Sequence, residues 1–107
     1  MSDIKNERAQ KIIRQKASEF LERESSGTAL ITVTDIKLTD KGKKALIFFT
    51  VFPADKEPGV LDFVKRKRSE FRDFLKREST LFQLPFVDFA IDLGEKNRQK
   101  IDSLSKR

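Results

Sequence analysis

The sequence predicts one α+β domain with the element order α-β-β-α-β, in which a three-stranded sheet carries its helices on one face. Its 107 residues suffice for one core and are too few for two of ordinary size. Two segments place apolar residues at helical spacing, and three short segments are rich in β-branched or alternating apolar residues. We expect residues 1–94 to form the domain and 95–107 a charged tail, either a short helix or disordered.

The first helix is predicted from residue 3 to about residue 24. Charged residues fill one side of this segment, and its apolar residues fall largely three or four positions apart: Ile4, Ile12, Ile13, Ala17, Phe20 and Leu21. Gly27 follows it and suits the left-handed turn that commonly ends a helix.

The next two elements form a predicted antiparallel hairpin. Residues 28–38 are rich in β-branched side chains, but the alternation changes face between Ile31 with Val33 and Ile36 with Leu38. A bulge near Thr34 and Asp35 would return all four to one side of the sheet. Residues 40–43 have the composition of a turn, and 45–52 form a second strand that is apolar on both faces.

A surface loop is predicted over 53–59, followed by a helix from 60 to about 79. At 100° per residue, one side of that helix collects its apolar residues, which are Val60, Val64, Phe71, Phe74 and Leu75. Lys67 falls on this apolar side, which conflicts with a straight helix. We therefore expect a kink at Lys67, Arg68 and Ser69.

The third strand is predicted over 86–93, after Pro85, with Gly94 closing it. Alternate residues of this segment are apolar and point inward in the prediction: Val87, Phe89, Ile91 and Leu93. Asp88 and Asp92 then mark the solvent side of the strand.

The composition argues against an enzyme. The chain has no Cys and no His, which excludes a thiolate nucleophile, a disulfide, a Cys or His metal site and a histidine acid–base pair. Asp35, Asp88 and Asp92 could supply a carboxylate pair, but Asp88 and Asp92 more simply mark the solvent side of the third strand. Gly42 and Gly94 are isolated and form no phosphate cradle. We expect no cofactor, no metal and no small-molecule substrate.

The chain is also expected to be cytoplasmic and to have no membrane partner. Its first residues contain no apolar signal region, and no run approaches the roughly 18 apolar residues of a membrane span.

The net charge of +6 is concentrated in one stretch. Residues 65–77 hold seven basic residues against Glu70 and Asp73, a net charge of +5. Most of these cations fall opposite the apolar side of the predicted helix, which favours contact with nucleic-acid phosphates. The predicted RNA-binding residues are Lys65, Arg66, Arg68, Arg72, Lys76 and Arg77, with Lys41, Lys43 and Lys44 at the hairpin as secondary contacts. A solvated helix face is the alternative.

The phenylalanines are predicted mostly as core residues. Phe71, Phe74 and Phe89 lie on the apolar sides of their elements. Phe48 and Phe52 share one face of the second strand, which is either covered or partly exposed. In the second case these two rings could stack on bases.

Three motifs carry a family resemblance over about residues 4–104. Ile31-Thr32-Val33-Thr34-Asp35-Ile36-Lys37-Leu38-Thr39, followed by a short turn and Lys44-Ala45, resembles the hairpin of the ribosome-binding factor A family. Leu84-Pro85-Phe86-Val87-Asp88-Phe89-Ala90-Ile91-Asp92 resembles that family's Pro-x-Leu-x-Phe-x-x-Asp segment, with Val87 at the Leu position. Arg98-Gln99-Lys100-Ile101-Asp102-Ser103-Leu104 is similar to its closing Ile-Asp-x-Leu stretch.

The resemblance implies a KH-like fold of type II, with a kinked helix in place of the GXXG loop. It also implies a non-enzymatic factor, associated with cold adaptation, that binds precursor particles of the small ribosomal subunit and assists processing of the 5′ end of their rRNA. The family's kink carries an Ala-x-Gly-like motif, whereas this chain has Lys67-Arg68-Ser69. Ser69 permits a bend less readily than Gly does.

The first functional hypothesis is therefore a ribosome-assembly factor that is a monomer when free and binds rRNA of the small subunit through the basic helix face. Two alternatives remain open. One is a protein-interaction module that docks an acidic partner, and the other is a generic KH-like RNA-binding protein.

Overall fold

A computed structural model describes residues 2–24, 27–81 and 83–98, without the side chains of 2–6 and 40. The elements are α1 (Ser2–Glu24), β1 (Leu30–Thr39), β2 (Lys44–Phe52), α2 (Glu57–Arg66), α3 (Arg68–Glu78) and β3 (Phe86–Ile91). Short 3-10 turns lie at Asp40–Gly42 and Ala54–Lys56, and residues 93–98 are helical (α4). The predicted α+β fold is confirmed, with α4 added at its end.

The sheet has the order β1-β2-β3. β1 and β2 are antiparallel, as predicted, and β2 pairs in parallel with β3. Two parallel strands cannot be joined by a tight turn, so α2 and α3 form the crossover between them. Buried residues of α1, α2, α3 and all three strands form a single apolar cluster, which places these helices on one face of the sheet.

The predicted bulge in β1 is present. Val33 pairs with Phe49 and Asp35 pairs with Phe48, so Thr34 is the extra residue. Val33 and Ile36 are consequently both buried, although they lie three positions apart.

Five phenylalanine rings form the centre of the core. The Phe71 ring lies 5.3 Å from that of Phe20, 6.5 Å from Phe74 and 5.9 Å from Phe89, measured between centroids. Phe89 in turn meets Phe49 edge to face at 6.3 Å. These contacts join α1, α3, β3 and β2, and they confirm that Phe71, Phe74 and Phe89 are core residues.

The predicted loop over 53–59 is too long. α2 begins at Glu57, so Pro58 and Gly59 lie in its first turn. Proline is tolerated there because the first N–H groups of a helix have no partner within it.

The predicted third strand is also too long. β3 ends at Ile91, and Leu93 is 66% exposed at the start of α4 instead of pointing inward. The described part of the predicted tail, 95–98, is therefore helical, and residues 99–107 lie outside the described part of the chain.

Asp92 ends the strand because its side chain caps α4. Its Oδ1 accepts a hydrogen bond from the Glu95 N–H at 2.9 Å, and its Oδ2 accepts one from the Thr34 hydroxyl at 2.5 Å. The Thr34 hydroxyl, followed by the Glu95 N–H, lowers the pKa of Asp92 below its usual value of 3.8. The bulge residue of β1 thus helps to fix where α4 begins.

Truncation of the central ring should be costly. We expect Phe71→Ala to lower the free energy of unfolding by about 3–5 kcal/mol, since it removes a fully buried ring that touches three others. Urea denaturation followed by circular dichroism measures this loss. Phe52→Ala, at a ring that is 72% exposed, is the matched control and should change the free energy by less than about 0.5 kcal/mol.

Because Asp92 caps α4 as a carboxylate, we expect the stability lost on replacing it to depend on pH. A carboxylate whose pKa is lowered on folding contributes stability above its unfolded value of about 3.8, and the contribution disappears as pH falls through the lower folded value. Asp92→Asn should therefore melt below wild type at neutral pH, and the gap should close in acid. Thr34→Val should reproduce part of the effect. A gap that persists unchanged in acid would contradict this assignment.

Candidate nucleic-acid interface

The break between α2 and α3 is a single residue, Lys67, with φ −95° and ψ 7°. Its N–H bonds the carbonyls of Phe63 at 3.2 Å and Val64 at 3.1 Å, which closes α2. The kink predicted at Lys67-Arg68-Ser69 therefore lies at the first of these three residues, and Arg68 and Ser69 begin α3.

The position of Lys67 explains why a cation occurs on the apolar side of the helical pattern. Its Nζ lies 3.1 Å from Oε2 of Glu70 and 3.6 Å from Oε1 of Glu24, and 5.7 Å from the centre of the Phe63 ring. The hydrogen bond with Glu70 raises the pKa of Lys67 above its usual value, against an opposing effect of burial. Lys67 thus links α1 to α3, and its ammonium group is engaged in contacts within the fold.

Lys65 and Arg68 lie together beside the break. Lys65 Nζ and Arg68 Nη1 each lie 3.4 Å from Oδ1 of Asp88 on β3, and Arg68 Nε donates to the Lys65 carbonyl at 3.0 Å. Both side chains are nearly half exposed. One carboxylate therefore holds two cations in place and leaves much of their surface open to solvent.

The remaining exposed cations of the predicted set lie elsewhere on the two helices. Arg66 forms an ion pair of 3.2 Å with Asp62 one turn earlier, and both side chains are largely exposed. Lys76 and Arg77 are exposed near the end of α3, where the Arg77 guanidinium lies 6.0 Å from the centre of the Phe74 ring.

Arg72 differs from the other predicted contacts because it is half-buried and already bonded. Its Nε donates to the Pro85 carbonyl at 3.3 Å and its Nη2 to the Leu84 carbonyl at 3.5 Å. Its guanidinium carbon lies 5.0 Å from the centre of the Phe86 ring. Two N–H groups of Arg72 therefore bond the segment that leads into β3.

The three hairpin lysines are exposed at one end of the sheet. Lys41 has a φ of 57° and Gly42 a φ of 83°, which form the turn between β1 and β2. Lys44 is the register partner of Phe86, so these two residues project from the same face of the sheet. That face is opposite to the one covered by the helices.

The basic residues and the open sheet face meet at a depression of about 670 Å³. It is lined from the sheet and from the start of α3, and includes Lys37, Lys44, Leu46, Arg68, Arg72, Phe86 and Asp88. Phe48 is half-buried, while Phe52 is 72% and Phe86 is 68% exposed. Phe86 is not among the residues predicted from the sequence, although the alternation that points Asp88 outward also points Phe86 outward.

Over 2–24, 27–81 and 83–98, no group of three carboxylates is placed to hold a metal ion. Within the same ranges, no helix combines the length and apolar character needed to cross a membrane.

Comparisons with known proteins point to one family. A family model described as ribosome-binding factor A matches residues 5–105. A ribosome-binding factor A from Coprothermobacter proteolyticus is 26% identical over 94 residues, which cover 86% of this chain and 69% of the relative.

Two structures of the Thermus thermophilus ribosome-binding factor A share the fold. The crystal structure aligns with a TM-score of 0.69 at 19% identity, covering 78% of this chain and 91% of that one. A homology model fitted into a cryo-EM map of its 30S complex aligns with a TM-score of 0.64 at 20% identity, covering 74% and 86%.

Because Lys67 forms ion pairs, we expect its replacement to lower the stability of the fold by an amount that depends on pH. Its pKa is raised on folding, so its contribution is present below the unfolded value of 10.5 and is lost as pH rises through the folded value. Lys67→Met should therefore unfold at a lower urea concentration than wild type at neutral pH, with the difference shrinking in alkali. Lys76→Met, at an exposed position of α3, is the control and should match wild type throughout.

Proposed function

The chain belongs to the ribosome-binding factor A family, and on that premise we propose that it binds the small ribosomal subunit and assists its maturation. We further propose that it contacts rRNA through the basic residues of 65–77. It would also help to process the 5′ end of the rRNA precursor. The factor works in the cytoplasm, as a free monomer before it binds, and has no catalytic role. The complex of the Thermus thermophilus relative with the 30S subunit supports the choice of partner.

The observation that carries the RNA contact is the cationic cluster at the α2–α3 break. Lys65 and Arg68 share one carboxylate, Asp88, so the three side chains keep an excess positive charge at one point of the surface. Arg66 and Lys76 are further exposed cations of the same two helices, whereas Arg77 lies on the α1 side of α3, beside Glu24, Glu70 and Asp73. A phosphate backbone is the partner that a group of solvated cations suits best, because binding releases its condensed counterions.

The ion pairs with Asp88 do not prevent such contacts. Lys65 and Arg68 each lie 3.4 Å from the carboxylate and are well solvated, and ion pairs of this type contribute little to stability. A phosphate can therefore replace Asp88 as the partner of either cation at small cost. Until then, Asp88 keeps both cations ordered and directed away from the core.

Contacts of this kind position the protein without reading sequence. Hydrogen bonds to phosphates fix register and orientation, whereas sequence is read from base edges or from shape. Specificity for the small subunit then comes from the shape of the rRNA site and from any base held beside the basic face.

The proposal predicts how binding responds to salt. We expect Lys65→Gln with Arg68→Gln to weaken co-sedimentation with purified small subunits. The slope of log affinity against log salt should also become shallower by roughly one for each cation that no longer neutralises a phosphate. The measurement is co-sedimentation over a series of salt concentrations, with thermal melting to show that the variant is folded.

The matched control removes the same charge elsewhere. Lys11→Gln with Arg14→Gln changes two exposed cations of α1 and should leave the slope nearly unchanged. Equal slopes for both double variants would contradict the basic face as the contact. A wild-type chain that binds purified acidic ribosomal proteins but neither subunits nor rRNA would favour protein docking instead.

A further inference from the structure

Phe86 is an exposed aromatic ring held in a prepared position. It is the first residue of β3, is 68% exposed and projects from the face of the sheet opposite the helices. The guanidinium of Arg72 lies 5.0 Å from the ring centre and so covers one side of the ring. The rest of the ring is open to solvent.

Hydrogen bonds support the arrangement on the covered side. Arg72 is fixed by its hydrogen bonds to the carbonyls of Pro85 and Leu84, the two residues that precede Phe86. Pro85 is itself fully buried, and the Phe86 N–H bonds the Lys43 carbonyl at 2.8 Å. Backbone and guanidinium together orient the ring before any partner arrives.

The surroundings of the ring are cationic. Lys44 pairs with Phe86 across the two strands, and Lys37 and Arg68 line the same depression of about 670 Å³. Asp88, the carboxylate in this depression, is held by Lys65 and Arg68. The depression lies within the range of about 300–1,000 Å³ that is typical of pockets for ligands larger than an ion.

We propose that Phe86 is a stacking platform for one unpaired RNA base, with the adjoining phosphates contacting Lys44 and Arg68. The inference rests on the proposed function and specifies its ligand as a single-stranded nucleotide. The base would complete a sandwich in which the Phe86 ring lies between the base and the Arg72 guanidinium. A base within a duplex is already stacked on both sides and cannot occupy this position.

An RNA base fits this surface better than an apolar protein partner does. An apolar protein surface on Phe86 would bury Lys37 and Lys44 without new partners, and unpaired buried charges are expensive. A nucleotide brings an apolar face for the ring and an anionic phosphate for the cations. Phe52 is equally exposed, but the described residues place no cation over its ring, which makes it the matched comparison.

The chain offers a direct reporter of stacking because it contains no Trp and no Tyr. Phe86→Trp places a single indole at the platform, and Phe52→Trp places one at the comparison site. We expect single-stranded oligoadenylate to quench the fluorescence of Phe86→Trp saturably and to leave that of Phe52→Trp unchanged. An RNA duplex of the same sequence paired with its complement should quench neither.

An affinity measurement tests the same idea without the indole. Phe86→Leu keeps an apolar side chain but removes the ring, and should weaken oligoadenylate binding roughly tenfold in fluorescence anisotropy with a labelled strand. Phe52→Leu should bind like wild type. Circular dichroism establishes that both variants are folded.

The outcomes separate this inference from the function on which it rests. Equal quenching at both sites, or unchanged affinity of Phe86→Leu, would overturn the platform while leaving co-sedimentation with small subunits intact. Quenching of Phe86→Trp by subunits but not by RNA would assign the ring to a ribosomal protein and also overturn it. Failure of the wild-type chain to bind subunits, with quenching retained, would instead refute the proposed function.

Discussion

The parallel pairing of β3 with β2 is the constraint on which the rest of the structure depends. Antiparallel β1 and β2 need only the turn at Asp40–Gly42. Because β3 is parallel to β2, the chain must run back along one face of the sheet before β3 can begin. α2 and α3 make that crossing, and they are held to the sheet by Val64, Phe71 and Leu75, all fully buried. The crossing brings the α2–α3 break next to β3, which is how Lys65 and Arg68 come to share Asp88.

The break at Lys67 separates the basic residues of 65–77 into two sets with different roles. Lys67 and Arg72 are turned toward protein, where Lys67 meets two carboxylates and Arg72 meets two carbonyls and an aromatic ring. The other cations remain on the surface with weak or exchangeable partners. A continuous straight helix would have placed Lys67 on its apolar side, against the core.

Much of this arrangement could be predicted from the sequence, because it follows from the order of residues within short segments. Helical spacing predicted α1 and the apolar faces of α2 and α3, and the changed alternation in β1 predicted the bulge at Thr34. The boundaries of α2 and β3 were predicted wrongly. Glu57 begins α2 before its proline, and Asp92 ends β3 through bonds to Glu95 and to Thr34, which is 58 positions away in the chain. The bond between Thr34 and Asp92 joins residues far apart in the chain and leaves no local trace in the sequence.

In the candidate site, too, some features could be predicted from the sequence and others could not. Charge counting located the basic stretch 65–77, because every cation in it is visible in the sequence. Only the tertiary structure decided which cations are free, since that depends on Glu24, Asp88 and the carbonyls of Leu84 and Pro85, which other elements bring near. The sequence by itself determined the main helices and strands, the bulge and the buried phenylalanines, because these follow from local composition and spacing, and its motifs carried the resemblance to the family. The strand order, the contacts of Lys67 and Arg72 within the fold and the position of Arg72 over the Phe86 ring depend on residues far apart in the chain, and only the tertiary structure brings those residues together.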